Sequence, residues 1–362
     1  MSHVPTMTYP EAMVVGLIQG VTELFPVSSL GHNVLIPALV GGSWAQDLNV
    51  AKPESPYLAF IVGLHVATAI ALLIYFWRDW VRIIRGFFSS IRDRGITTAD
   101  QKLAWMIVVA TIPVGLAGLL FEHTFRVLFG KPELAAVFLI VNGVILFSGE
   151  KFRTNKSLQA DQEVAEERRL AATPAQLQRE PAAGVAAVGL AAAADGGATV
   201  APPPRRPGHG SHAAVKPDPR TLRAAESAAA VRADQRLSKL DYVQSIIIGA
   251  AQILALLAGI SRDGVTMVAG MFRGLSREDA ARFAFLLATP VILAAGALKV
   301  PDLIQRGHGI YGPILAGSIL SGIGAYVSVR FLVRYFQTRT LTPFAIYCVL
   351  FGLGSIIYLH VR

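Results

Sequence analysis

Two stretches of the sequence decide the fold: IQGVTELFPVSSLGHNV at residues 18–34 and AQILALLAGISRDGVTM at residues 251–267. They align without a gap, and identical residues fall at paired positions: Gln19 with Gln252, Ser28 with Ser261, and Gly31 with Gly264. In each stretch, proline or glycine interrupts an apolar run beside a cluster of polar residues. The same interruption in both halves of the chain indicates an internal repeat.

Apolar runs of about 20 residues, long enough to cross a bilayer core of roughly 30 Å, follow each stretch. The composition agrees, with 53% hydrophobic residues, 16% charged residues and a mean hydropathy of +0.50. We predict six transmembrane helices, at residues 57–77, 104–122, 132–149, 280–300, 309–330 and 341–361. Three of them follow each interrupted stretch.

Three spans are an odd number, so the second repeat should enter the bilayer from the side opposite the first. The interrupted segments 11–40 and 241–273 are predicted to be re-entrant helix pairs, since irregular backbone at membrane depth is tolerated where it lines a protein-enclosed cavity. The predicted fold class is an all-α integral membrane protein with an inverted-topology repeat, six transmembrane helices and two re-entrant pairs. The polar tips of the two pairs should meet near the midplane.

The chain divides into a first repeat at 1–153, a linker at 154–238 and a second repeat at 239–362. The linker is rich in Ala, Arg, Glu and Pro and poor in large apolar residues, so it is predicted to be disordered, with transient polar helices at 160–180 and 219–237.

The net charge of +9 comes from Lys and Arg in the connections between apolar runs. These residues form no basic face with interleaved aromatics, so we expect no nucleic-acid partner. The connection 78–103 is richer in Arg than 123–131, which places 78–103 and the linker in the cytoplasm. Both termini would then face outward.

Ionisable residues are costly at membrane depth and are therefore candidates for function: Glu23, His32, Arg262 and Asp263. The simplest alternative is a buried ion pair between Glu23 and Arg262 that only joins the halves. Hydroxyl and imidazole groups at the same tips argue for chemistry instead: Ser28, Ser29, His32 and Thr266.

Gln19 and Glu23 are four residues apart and share one helix face, where their oxygens can hold a hard divalent cation. Ser29 and His32 allow two interpretations: serine attacks with histidine as the base, which we favour, or histidine attacks itself. Arg262 can grip phosphate oxygens in a bidentate manner, with Thr266 on the same helical face. His65, inside an apolar run, is interpreted as a satisfied interior histidine, with a position in the lining of the cavity as the alternative.

GLIQGVTELFPVSSLGH (16–32) and AGISRDGVT (258–266) resemble the two signatures of the bacterial undecaprenyl-diphosphate phosphatase family. The resemblance extends to 110–122, 137–151 and 276–290. Three positions depart from the family pattern: Ala258 replaces the usual Pro, Asp263 replaces a Ser, and Cys348 stands where Arg is frequent.

The resemblance implies hydrolysis of a polyprenyl diphosphate lipid, undecaprenyl diphosphate, to the monophosphate, which recycles the cell-wall lipid carrier and protects against bacitracin. It implies roles for the following residues: Gln19 and Glu23 in binding Mg²⁺ or Ca²⁺, Ser28 and Ser29 in phosphate contact, and Ser261, Arg262 and Thr266 in gripping the diphosphate. It also implies a multi-pass protein of the bacterial plasma membrane, an outward-opening site and a homodimer. The alternative function is a lipid-phosphate or anion transporter, because inverted repeats with broken helices are common in transporters.

Overall fold

The computed structural model describes residues 7–48, 56–129, 131–177, 219–306 and 309–361, and within them the chain is helical with no β-strand. The first part contains α1 (Tyr9–Leu24), α2 (Ser29–Val40), α3 (Gly42–Asp47), α4 (Pro56–Tyr75), α5 (Trp77–Arg92), α6 (Ala99–Phe129) and α7 (Pro132–Lys151). Then come α8 (Asn155–Leu177), α9 (Pro219–Leu237), α10 (Tyr242–Ala250), a 3-10 segment (Ala251–Leu256), α11 (Arg262–Phe272), α12 (Arg277–Arg306), α13 (Tyr311–Tyr335) and α14 (Thr342–Val361).

Five helices are by themselves long and apolar enough to cross a membrane: Ala99–Phe121, Pro132–Lys151, Arg277–Pro301, Tyr311–Tyr335 and Thr342–Val361. They coincide with five of the predicted spans. The remaining predicted span is α4, which forms with α5 a pair that bends by 86° and qualifies as one broken span. A second bent pair, Ser227–Leu237 with Tyr242–Leu256, brings the total to as many as seven. The chain is thus an all-α, multi-pass membrane protein.

The predicted repeat has a counterpart in the helix packing. In the repeat, α1, α4, α6 and α7 of the first half correspond in order to α10, α12, α13 and α14 of the second. Helix α1 packs on α13, and its counterpart α10 packs on α6, the counterpart of α13. Gly16 and Gly249, at equivalent positions, permit both contacts. A Cβ at Gly16 would overlap the backbone of Gly317, and one at Gly249 would overlap the backbone of Ala110.

The chain forms two compact units, one of Met1–Asp161 with Ala230–Arg362 and one of Gln162–Ala229. The described ends of the predicted linker are helical, as α8 and α9, and residues 178–218 lie outside the described ranges. The domain boundaries at 153 and 239 therefore stay a prediction.

Both ends of the predicted linker are fastened to the membrane-embedded unit. At the first end, the Asp161 carboxylate accepts a hydrogen bond of 2.8 Å from the backbone N–H of Arg277. At the second end, buried Asp234 pairs with Arg82 at 2.6 Å and with Arg282 at 2.8 Å. Removing one partner of a buried ion pair costs about 3–5 kcal/mol, because the other charge is left uncompensated.

We therefore expect the centre of the linker, but not its ends, to be dispensable for stability. Replacing 178–218 with about 20 Gly/Ser residues, a flexible coil, should leave the thermal unfolding midpoint in detergent unchanged. Replacing 158–236 should lower it by more than about 5 °C, because Arg82 and Arg282 lose Asp234. Equal midpoints for the two replacements would show that these ion pairs contribute nothing.

Candidate functional site

The first polar tip lies between α1 and α2, where Pro26 interrupts the helix and Ser28 turns the chain. Ser28 has a φ of 68°, in the left-handed region that a residue with a side chain rarely adopts. Its Oγ accepts a hydrogen bond of 3.2 Å from the backbone N–H of Gly31 and so caps α2. The same Oγ accepts a second bond of 3.2 Å from Gly259 N–H, in the other tip. One hydroxyl thereby fixes its own turn and joins the two halves.

The second tip is capped in the same manner. Ser261 Oγ accepts a bond of 3.2 Å from Gly264 N–H at the start of α11. Gly259 has a φ of 113°, and a Cβ there would overlap the backbone of α7 at Ala135. Only glycine suits this close approach. The two tips predicted from the repeat therefore meet.

Asn142 on α7, a fully buried residue, joins the tips from behind. Its amide nitrogen donates to Pro26 O at 3.0 Å, and its amide oxygen accepts from Ser261 N–H at 2.9 Å. Cys348 Sγ lies 3.3 Å from the same nitrogen. Sequence reasoning missed Asn142, whose only signal was an amide inside an apolar span.

Glu23 is buried at the centre of the site and collects four polar contacts. Arg262 donates from Nη2 to Oε1 at 2.9 Å, which joins the second half to the first. Gln19 donates from Nε2 to Oε2 at 2.8 Å, and Ser29 donates its hydroxyl proton to the same oxygen. His65 Nε2 lies 3.5 Å from Oε2. This imidazole adjoins the central carboxylate and lines the cavity beside it, which agrees with the alternative interpretation of His65.

A cavity of about 350 Å³ opens beside Glu23. Its polar lining consists of Glu23, Ser28, Ser29, His65, Gln252, Ser261, Arg262 and Lys299. The rest of the lining is mainly aliphatic, with Ile61, Val62, Leu256, Ile260 and Ile292 among its members. The cavity suits a ligand with an anionic head and an apolar tail.

Gln252 contributes a buried amide to this lining. Neither its nitrogen nor its oxygen has a hydrogen-bond partner among the described residues, although the residue is only 1% exposed. Its repeat counterpart Gln19 is satisfied by Glu23 and by Asn33, whose amide donates at 2.5 Å. An unsatisfied buried amide costs about 1–3 kcal/mol, so this group needs a ligand or a water molecule.

His32 does not form the predicted pair with Ser29. Its Nδ1 donates to Ser28 O at 2.7 Å, which leaves Nε2 to accept from the Tyr347 hydroxyl at 2.8 Å. The ring stacks on Phe351 with a centroid distance of 5.1 Å, and His32 is not among the residues that line the cavity. The group that accepts the Ser29 proton is instead Glu23.

The other predicted residues of α11 also face inward. Thr266 Oγ1 donates to Arg262 O at 2.7 Å and does not reach the cavity lining. Asp263 is buried beside Arg262, with Oδ1 at 3.4 Å from Nε. Both residues therefore support Arg262 rather than face a ligand in this structure.

Gln19 and Glu23, the predicted metal ligands, lie side by side in the site. Among the described residues, no group of three or more His, Cys, Asp or Glu side chains is arranged to hold a metal ion. Gln19 turns its NH₂ group toward Glu23, and its oxygen accepts from Asn33. Among the described residues that line the cavity, Glu23 is the one carboxylate. A single carboxylate fits an ion such as Mg²⁺, which binds through one or two carboxylates and substrate phosphates.

Comparison with known proteins agrees with this geometry. The model of the family described as "Bacitracin resistance protein BacA" matches residues 12–176 and 220–354. Undecaprenyl-diphosphatase from Mycolicibacterium paratuberculosis is 54% identical over 98% of this chain and 99% of its own. Undecaprenyl-diphosphatase 2 from Frankia alni is 52% identical over 96% of both chains, and the Granulibacter bethesdensis undecaprenyl-diphosphatase is 34% identical over 99% of both. Both signature tips lie within the matched residues, and the chain belongs to the BacA family of bacitracin resistance proteins.

Proposed function

We propose that this protein hydrolyses undecaprenyl diphosphate to undecaprenyl phosphate and inorganic phosphate, and thereby confers bacitracin resistance. The observation that carries the proposal is the cavity, which combines Glu23, Ser29 and Arg262 with an aliphatic lining. A diphosphate head and a prenyl tail match these two parts. The names of the relatives, undecaprenyl-diphosphatases, support the same substrate.

The chemistry begins with the Ser29 hydroxyl, which is hydrogen-bonded to Glu23. As the diphosphate enters, Arg262 exchanges its bond to Glu23 for bonds to phosphate oxygens, because a guanidinium presents several donors in a plane. Ser29 Oγ attacks the terminal phosphorus, its proton passes to Glu23, and the bond to the bridging oxygen breaks to release undecaprenyl phosphate. Water then attacks the phosphorus of the phosphoserine and the bond between phosphorus and Ser29 Oγ breaks. Glu23 returns its proton to Ser29 Oγ, and inorganic phosphate leaves.

A divalent cation, Mg²⁺ or Ca²⁺, is part of the proposal. Glu23 would hold it, together with Gln19 once its amide has turned over so that oxygen faces the carboxylate. When bound, the ion neutralises charge on the diphosphate. Arg262 remains available for the oxygens that the ion does not contact.

The experiment is phosphate release from undecaprenyl diphosphate by the purified protein in detergent. We expect release that EDTA abolishes and that added Mg²⁺ or Ca²⁺ restores, with a metal-dependent rise in the unfolding midpoint as a readout other than activity. Full activity in EDTA would contradict the metal role. Transfer of lipid phosphate across vesicles without phosphate release would favour the transporter instead.

Gln252 is assigned to the diphosphate, with its amide donating to a phosphate oxygen. Gln252→Leu should raise KM at least about tenfold, which corresponds to about 1.4 kcal/mol, and should leave the unfolding midpoint unchanged. No bond to a described residue is lost in the variant. Exposed Gln235 provides the control, as Gln235→Leu. A lower midpoint with unchanged KM would show that Gln252 only holds a structural water.

Orientation follows from the charge distribution. The Arg-rich connection 78–103 faces the cytoplasm of the bacterial cell, and the cavity opens outward. Cysteine accessibility provides a test: a thiol introduced at exposed Arg94 should react with a membrane-impermeant reagent only after the cells are opened.

A further inference from the structure

Helix α5 carries an exposed apolar stripe that no described residue covers. The stripe consists of Trp77, Val81, Ile84, Phe88 and Ile91, whose spacing of three and four residues keeps them on one helix face. Phe88 is 64% exposed and Trp77 is 56% exposed. Exposed apolar residues are common on the spanning helices, but α5 also carries a charged stripe.

Three exposed arginines, Arg78, Arg85 and Arg92, form the second stripe, with successive members seven positions apart. At about 100° per residue, this stripe lies about 80° around the helix from the apolar one. The Arg78 guanidinium lies 5.3 Å from the centroid of the Trp77 ring, so the stripes adjoin. A lipid leaflet likewise has an apolar layer of acyl chains that adjoins a layer of charged phosphates.

The opposite face of α5 is fixed to the protein, which sets the direction in which the stripes point. Ile83, Gly86 and Ser90 are buried, and a Cβ at Gly86 would overlap the backbone of Asp100 on α6. Arg82, on this side, pairs with Asp100 at 3.1 Å and with Asp234 at 2.6 Å. The buried contacts and the ion pairs together prevent rotation of the helix about its axis.

We propose that α5 is a docking surface for an anionic phospholipid leaflet. The bend of 86° between α4 and α5 turns α5 into the membrane plane when α4 crosses the bilayer. The apolar stripe then enters the acyl region, and the three arginines reach lipid phosphates, each such residue adding to the attraction of an anionic surface. This interaction is independent of the proposed hydrolysis, since no residue of α5 lines the cavity.

Reconstitution in nanodiscs of phosphatidylcholine, with or without phosphatidylglycerol, tests the proposal. The wild type should retain phosphatidylglycerol in native mass spectrometry and unfold at a higher temperature in the anionic discs. The variant R78Q/R85Q/R92Q should retain at least about fivefold less of this lipid and lose the thermal gain. The control R273Q/R334Q/R339Q removes the same charge from exposed arginines outside α5 and should behave as the wild type.

High salt should reduce the thermal gain of the wild type, because salt screens exposed charges. Equal lipid retention by the α5 variant and the control would overturn the proposal. So would recovery of a protein partner that depends on these arginines while lipid retention is unchanged. Phosphate release is not used as a readout, so failure of the proposed function leaves this test unaffected.

Discussion

Arg262→Gln and Glu23→Gln should each lower the turnover of undecaprenyl diphosphate at least about a hundredfold, which corresponds to roughly 3 kcal/mol of lost transition-state stabilisation. Arg262 supplies a positive charge beside Glu23, and Glu23, which accepts a hydrogen bond from Ser29, is the proposed acceptor of its proton. Phosphate release by protein of verified monodispersity is the measurement. Arg273→Gln, which alters an exposed arginine at the end of α11, should turn over normally.

The double variant E23Q/R262Q separates catalysis from a purely structural ion pair. Each single variant leaves one buried charge without its partner, whereas the double variant leaves none. We expect the double variant to recover thermal stability relative to the single variants and to stay as inactive as they are. Recovery of turnover together with stability would show that the pair only clamps the two halves.

Ser29→Ala should abolish turnover, by more than about a thousandfold, because it removes the proposed nucleophile while Glu23 and Arg262 keep their contact. Rapid quench with substrate labelled in the terminal phosphate should trap an acid-stable adduct in the wild type. The adduct should be absent from Ser29→Ala. Ser28→Ala is a less suitable control, because Ser28 Oγ joins the two tips.

His32→Gln tests the alternative nucleophile. We expect it to lower turnover through loosened packing. Tyr347→Phe, which removes the hydroxyl bound to Nε2, should lower turnover to a similar extent. The acid-stable adduct should persist in both variants. An acid-labile, base-stable adduct that disappears in His32→Gln would instead establish histidine as the nucleophile.

The repeat and its polar tips could be predicted from the sequence because ionisable residues beside helix breakers are rare at membrane depth. Glu23 and Arg262 follow directly from that argument, and they form the expected contact. The spans could be predicted because length and hydropathy alone decide them. The tips and the spans depend on local composition, which can be read directly from the sequence.

The contacts of His32, His65 and Asn142 could not be predicted, because they depend on how distant helices approach. The same holds for the unpaired amide of Gln252. The spacing of Ser29 and His32 allows a contact within one turn, but the imidazole binds Ser28 O and Tyr347 instead. Asn142 lies on a helix that contains neither tip. Sequence spacing does not show which of several possible partners a side chain will meet.

The division of the site between the halves has a consequence for biogenesis. Glu23 enters the membrane with the first repeat, long before the ribosome has made Arg262, and its carboxylate has no cationic guanidinium partner during that interval. Arrival of the second repeat completes the ion pair and the cavity in one event. On the proposed mechanism, a nascent chain that lacks the second repeat is inactive, and a truncated one retains an intramembrane carboxylate without its guanidinium partner.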